Sequence, residues 1–146
     1  MLSQVVSINI SVITQSSIDS AFCGVEIKEN TVKDKSFALA LRVVNLAKYL
    51  ENRKKEFVLS KQVLRSGTAI GALVREAEHA ESKADFIHKM SIALKEANET
   101  AYWLELLRQS EYLDDQSFES VHWESEELIK LLVAIVKTSK VAKHSE

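Results

Sequence analysis

A chain of 146 residues that contains no proline and only three glycines has few means of turning sharply. Proline presets one backbone angle of a tight turn and glycine supplies the left-handed ones. A β sandwich, which needs a turn signal about every 8–12 residues, is therefore excluded, and so are glycine-rich phosphate loops. What remains is a small number of long elements with few connections. With 46% hydrophobic and 27% charged residues, those elements are amphipathic helices in one domain, which at this length buries roughly two thirds of its unfolded surface.

Charge and cysteine usage limit the setting. Nineteen basic and twenty-one acidic side chains leave a net charge of −2, so any nucleic-acid contact must rest on a local patch and not on an overall positive field. Cys23 stands alone and cannot form an intrachain disulfide, which makes a reducing, cytoplasmic compartment the expected location. No apolar run approaches the ~20 residues of a membrane span. Residues 1–30 form a leader with no lysine or arginine before Lys28, and Ser3, Gln4, Ser7, Asn9 and Ser11 interrupt its apolar stretch, unlike a secretory signal. The leader reads as a poorly ordered extension. The alternatives are a β-prone strand through Val5, Ile8, Ile10 and Val12, and translation starting near Val25.

Four start signals divide the remainder, residues 31–140, before a short tail at 141–146. Asp34 is the expected cap of a first helix running to about Asn52. Ser60 is the expected cap of a second, running to about Ala80, with Leu59 and Leu64 as a hydrophobic staple. Ser82 and Asp85 form a capping box for a third, ending near Gln109. Asp114 caps a fourth, with Leu113 and Phe118 as its staple. Short connections force consecutive helices antiparallel, so the spacing predicts an all-α, up-down-up-down four-helix bundle. The seams agree: Phe118, Val121, Ser125, Leu128, Leu132 and Ile135 step by three and four, as do Phe86, Met90, Ala93, Ala97, Ala101 and Leu104. Gly67 and Gly71 lie on the inward stripe of the second helix. Each costs roughly 1 kcal/mol against alanine, which points to close approach of another helix.

The first helix carries more apolar surface than one core can hide. At about 100° per residue, Leu39, Val43, Leu46 and Leu50 are followed round the wheel by Ala47, Ala40, Val44, Phe37 and Leu41. The fourth helix spreads similarly from Leu131 to Val133, and Ile92 and Trp103 stand beside the main seam of the third. A second contact surface is implied, hence a homo-oligomer whose interface draws on Leu39, Val43, Leu46, Ile92 and Trp103.

No catalytic constellation stands up to the topology. Glu76 with His79 and Glu119 with His122 imitate the paired Glu-x-x-His motifs of di-metal bundles, but the bundle places them at opposite ends. No enzyme, metal, cofactor or small-molecule substrate is indicated. Outward on the second helix, Lys61, Arg65, Arg75 and His79 fall within about 80°, a stripe that could track RNA phosphates and to which the adjacent Lys54 and Lys55 add. Glu76 beside Arg65 favours a second use of these residues, as ion pairs to a neighbouring subunit.

The runs Lys33–Leu50, Phe57–Leu107 and Glu127–Lys140 resemble the four-helix bundle proteins encoded within 23S rRNA intervening sequences, a family related to the accessory variability protein of diversity-generating retroelements. The second-helix pattern is matched at Gln62, Arg65, Ser66, Gly67, Ile70 and Glu76. The third is matched at Lys83, Asp85, Phe86, Ala93, Glu96, Ala97, Glu99, Tyr102, Trp103 and Leu104. It departs where Ala69 stands for the usual serine, Leu73 for asparagine and Ala101 for a common glutamate, which puts a polar network there in doubt. The resemblance implies a homopentameric ring, an accessory or scaffold role, and association with RNA or ribonucleoprotein. A homo-oligomeric interaction module without nucleic acid is the alternative.

Overall fold

The computed structural model describes residues 23–142, with side chains from Thr31 onward. Its elements are α1 (Cys23–Tyr49), a five-residue π-helical turn (Leu50–Lys54), α2 (Leu59–Ala77), α3 (Lys83–Gln109) and α4 (Asp115–Val141). Among the described residues the fold is all-α. The leader readings for residues before Cys23 lie outside the described residues.

Two expected helix starts are corrected. Helix α1 does not begin at Asp34 but at Cys23; the intervening stretch holds no proline and one glycine, so nothing stops propagation of the helix. Nor does Ser60 cap α2. The carboxylate of Glu56, only 8% exposed, does so from outside the helix. Its Oε1 accepts from the amides of Val58 and Leu59, both at 2.9 Å, and its Oε2 from Ser60 at 2.7 Å. Ser60 Oγ is instead buried with no hydrogen-bond partner among the described residues. The π-helical turn makes this possible, because Lys55 ends it in a left-handed conformation with its amide returning to Leu50 O, and Glu56 N donates to the same carbonyl at 3.0 Å. Helix α2 closes at Ala77, three residues short of the expected end, in a tighter turn in which Ala80 N donates to Ala77 O.

The other two starts hold. Ser82 Oγ accepts from Asp85 N at 3.1 Å, and Asp85 returns a bond from Glu81 N at 3.2 Å. Asp114 accepts from both the amide and the hydroxyl of Ser117 at 2.8 Å, and its staple partners Leu113 and Phe118 are both buried.

Consecutive helices pack against one another, and α4 returns to α1 along the thinnest of the four seams. The core joins the expected stripes of the last three helices, Val63, Ile70 and Val74 of α2, Met90, Ala93, Ala97 and Leu104 of α3, and Leu128 and Leu132 of α4, to Leu39, Val43 and Leu50 of α1. Polar side chains within it are few. Thr100 and Ser66, both fully buried, share a hydrogen bond of 3.0 Å between α3 and α2, while Ser125 Oγ of α4 has no partner among the described residues.

Of the two glycines of α2, one is required. A Cβ at Gly67 would lie 2.8 Å from both methyl carbons of Val43, whereas one at Gly71 would meet Ser36 Oγ at an ordinary 3.5 Å. Gly67→Ala therefore destabilises the protein by about 1–3 kcal/mol through overpacking, despite alanine's better helix propensity. Added Val43→Ala recovers part of that loss in urea unfolding; a neutral or stabilising Gly67→Ala would show that α1 and α2 do not approach so closely.

Candidate functional site

The basic stripe of α2 resolves into three different environments. Lys61 is exposed, and its ammonium has no partner among the described residues. Arg65 is held by two carboxylates of α3: Nη1 lies 3.3 Å from Glu96, and Nη2 bonds Glu99 more closely. Those carboxylates, hydrogen bonding from Glu99 first, raise the guanidinium's pKa above its ordinary value. Glu99 is lowered in return, by Arg65 and then by Trp103, whose Nε1 donates to the same oxygen at 3.0 Å. Arg75 turns toward α1, with Nη1 donating to Gly71 O at 3.2 Å and its guanidinium 5.3 Å over the Phe37 ring.

The residues assigned to a subunit interface are likewise sorted by the fold. Leu39, Val43 and Leu46 are buried inside the single chain, so they belong to its core; the wheel gave the excess of apolar surface but not which part of it turns outward. Ile92 is partly buried. Trp103 is half-buried against the core, edge-on to Tyr102 at 4.9 Å between ring centres. Glu76 reaches Lys89 of α3 at 3.5 Å, and Arg65 pairs within the chain, so both ion-pair partners proposed for a neighbouring subunit have intramolecular counterparts.

The apolar surface that does face outward lies elsewhere. Phe37 and Leu41, one turn apart on α1, are 52% and 51% exposed, and Trp123 on α4 is 64% exposed. Ala40 and Val44, on the same flank of α1, are partly covered. Across the α1–α4 seam Arg42 Nη1 meets Glu124 Oε1 at 2.6 Å, and Nη2 meets Ser120 Oγ at 2.9 Å. This pair sets Leu41 and Trp123, each the chain neighbour of one partner, at one height on adjacent helices. Lys35 and Glu127 close the same seam at 2.8 Å. Sequence periodicity did not single out Trp123, because a lone aromatic on a charged outer face carries no pattern.

Two open clefts accompany these surfaces. One, of about 610 Å³, lies between the end of α2 and the start of α3 and is lined by Arg75, Glu76, His79, Glu81, Asp85 and Lys89. The other, of about 540 Å³, runs along the α1–α4 seam beside Arg42, Tyr49, Asp114 and Ser120. The two Glu-x-x-His motifs are far apart: Glu76 and His79 sit at the first cleft, whereas His122 lies between Glu105 and Glu126 at 3.7 and 3.9 Å and stacks on Phe118. Among the described residues no group of three or more histidine, cysteine or acidic side chains could hold a metal ion, and no helix is long and apolar enough to cross a membrane.

Residues 28–134 match the family model described as 23S rRNA-intervening sequence protein. Among solved structures the chain is similar to a protein of unknown function from the S23 ribosomal protein family of Bacteroides thetaiotaomicron. The two are 61% identical, the match covers 75% of this chain and 98% of that one, and the TM-score is 0.74. No curated protein matches the chain.

The Glu56 cap sets a pH dependence. Burial pushes its carboxyl pKa up, but the amides of Leu59, Ser60 and Val58 outweigh that and hold it below its ordinary value. A carboxylate lowered in the folded state adds stability above its unfolded pKa and loses it as the pH falls through the folded one. Glu56→Gln is expected to cost about 1–2 kcal/mol at neutral pH and to flatten the acid limb of a stability–pH curve. An unchanged acid limb would contradict the capping role.

Proposed function

This chain belongs to the 23S rRNA-intervening sequence protein family, and from that premise we propose that it is a non-enzymatic, self-associating four-helix scaffold acting in an RNA-related process. The supporting observation is the outward band of Phe37, Leu41 and Trp123, three large apolar side chains across α1 and α4 that their own chain leaves half or more exposed. A single exposed leucine is ordinary on a soluble protein. Three large apolar residues in one band, two of them aromatic, form an anchor of the kind that buried contacts between subunits use.

A closed ring, with the five copies that the resemblance implies, gives each such band a partner and leaves the bundle interior as it is. The contact is supplied by surface residues and not by Leu39, Val43 or Leu46, which already hold the core. The second use of the chain, as an interaction module without nucleic acid, is favoured by the loss of Arg65 and Arg75 from the free basic stripe.

Phe37→Asp with Leu41→Asp, and separately Trp123→Asp, are expected to move the assembly toward single chains in light scattering, each while keeping its helical circular dichroism. Substituting Lys95, an exposed residue of α3, leaves the mass as it was. Full-mass assemblies from both apolar-to-acid variants would remove this band from the interface.

A further inference from the structure

Unpaired positive charge gathers at the connection between α1 and α2, at the Lys61 end of the basic stripe. Lys48, Arg53, Lys54, Lys55 and Lys61 are all exposed, and none of their side chains has a hydrogen-bond or ion-pair partner among the described residues. Of the two acidic residues between them, Glu51 is partly covered and Glu56 is buried and committed to the amides of α2. The neighbouring α3–α4 turn at this end carries Glu111, Asp114 and Asp115. Asp115 is paired with Arg108 at 2.7 Å, whereas Asp114, whose hydrogen bonds from Ser117 do not neutralise it, and Glu111 have no cationic partner among the described residues.

The connection is also stiff. The π-helical turn, the left-handed Lys55 and the buried Glu56 fix its backbone at both ends, so ordering it on binding costs little conformational entropy. Directly after the cations, Phe57 and Val58 are 52% and 69% exposed. An aromatic face held beside a row of lysines and arginines is the arrangement that single-stranded nucleic acid uses: phosphates follow the charge and an unstacked base lies on the ring. A duplex would demand an element able to enter a groove, which this short connection does not offer.

We infer that the α1–α2 connection is a docking site for single-stranded RNA, with Arg53, Lys54 and Lys55 meeting phosphates and Phe57 stacking on a base. The assignment rests on the RNA-related part of the proposed function and is independent of self-association. It moves the contact away from Arg65 and Arg75, whose charges are already engaged by Glu96, Glu99 and the Phe37 ring.

The test is fluorescence anisotropy of a labelled oligouridylate with the full chain across a salt series. Three phosphate contacts to a single strand give a log K against log salt slope of about −2. Lys54→Gln with Lys55→Gln makes that slope shallower by about 1.4, and Phe57→Ser weakens binding on the order of tenfold with the slope unchanged. Lys95→Gln changes neither. No binding by the parent chain at low salt overturns both the RNA reading and this site. Binding by the parent that the connection variants do not alter overturns the site alone. Equal competition by polyglutamate and by oligouridylate, with Phe57→Ser inert, overturns it in favour of an acidic protein partner. Light scattering of the same samples keeps any change in assembly separate from a change in RNA affinity.

Discussion

The structure depends on how α1 divides its apolar residues between two faces. Its inner stripe, Leu39, Val43, Leu46 and Leu50, enters a core shared with all three other helices, and burying each such side chain stabilises the fold by about 1.5–3 kcal/mol. The approach to α2 is tight enough that Val43 occupies the space a side chain at residue 67 would need. That closeness fixes the rotation of α1 about its own axis. Phe37 and Leu41 are consequently turned outward, and a rotation that buried them would pull Val43 and Leu39 from the core.

The remaining architecture distributes polar interactions around this constraint. Ion pairs stitch the helices at their margins, Arg65 to Glu96 and Glu99 between α2 and α3, and Arg42 to Glu124 between α1 and α4. Such part-exposed pairs contribute little stability each, typically about 0.2–1 kcal/mol, but they orient neighbours. Arg42 aligns Leu41 with Trp123, and Glu99 fixes the indole of Trp103. Glu56 acts in the same way at the α1–α2 connection, where one buried carboxylate replaces the expected serine cap and leaves the adjacent lysines and arginine without an internal counterion.

Most of the fold was legible from local rules. The Ser82 and Asp114 caps, the ends of α3, and the stripes of α2, α3 and α4 all follow from side chains within one or two turns of each other. The misread features depend on longer range. Asp34 looks like a cap because nothing local says that the helix has already begun; Ser60 looks like one because Glu56 reaches it only through a π-helical turn that no simple pattern encodes. At the candidate surfaces the periodicity showed a surplus of apolar and basic residues, yet it could not tell Leu39 from Leu41 or a paired Arg65 from an unpaired Lys61. Those distinctions arise from the rotation of whole helices and from carboxylates some thirty positions away.

The claim that joins these observations is that copies of the chain cover one another's outward band on α1 and α4. Sedimentation equilibrium of the unmodified protein over a wide concentration range tests it most directly. The account predicts a discrete multiple of the 16.4 kDa chain, five-fold for the proposed ring, that persists on dilution; a stable, soluble particle of one chain mass at the highest concentration would contradict it.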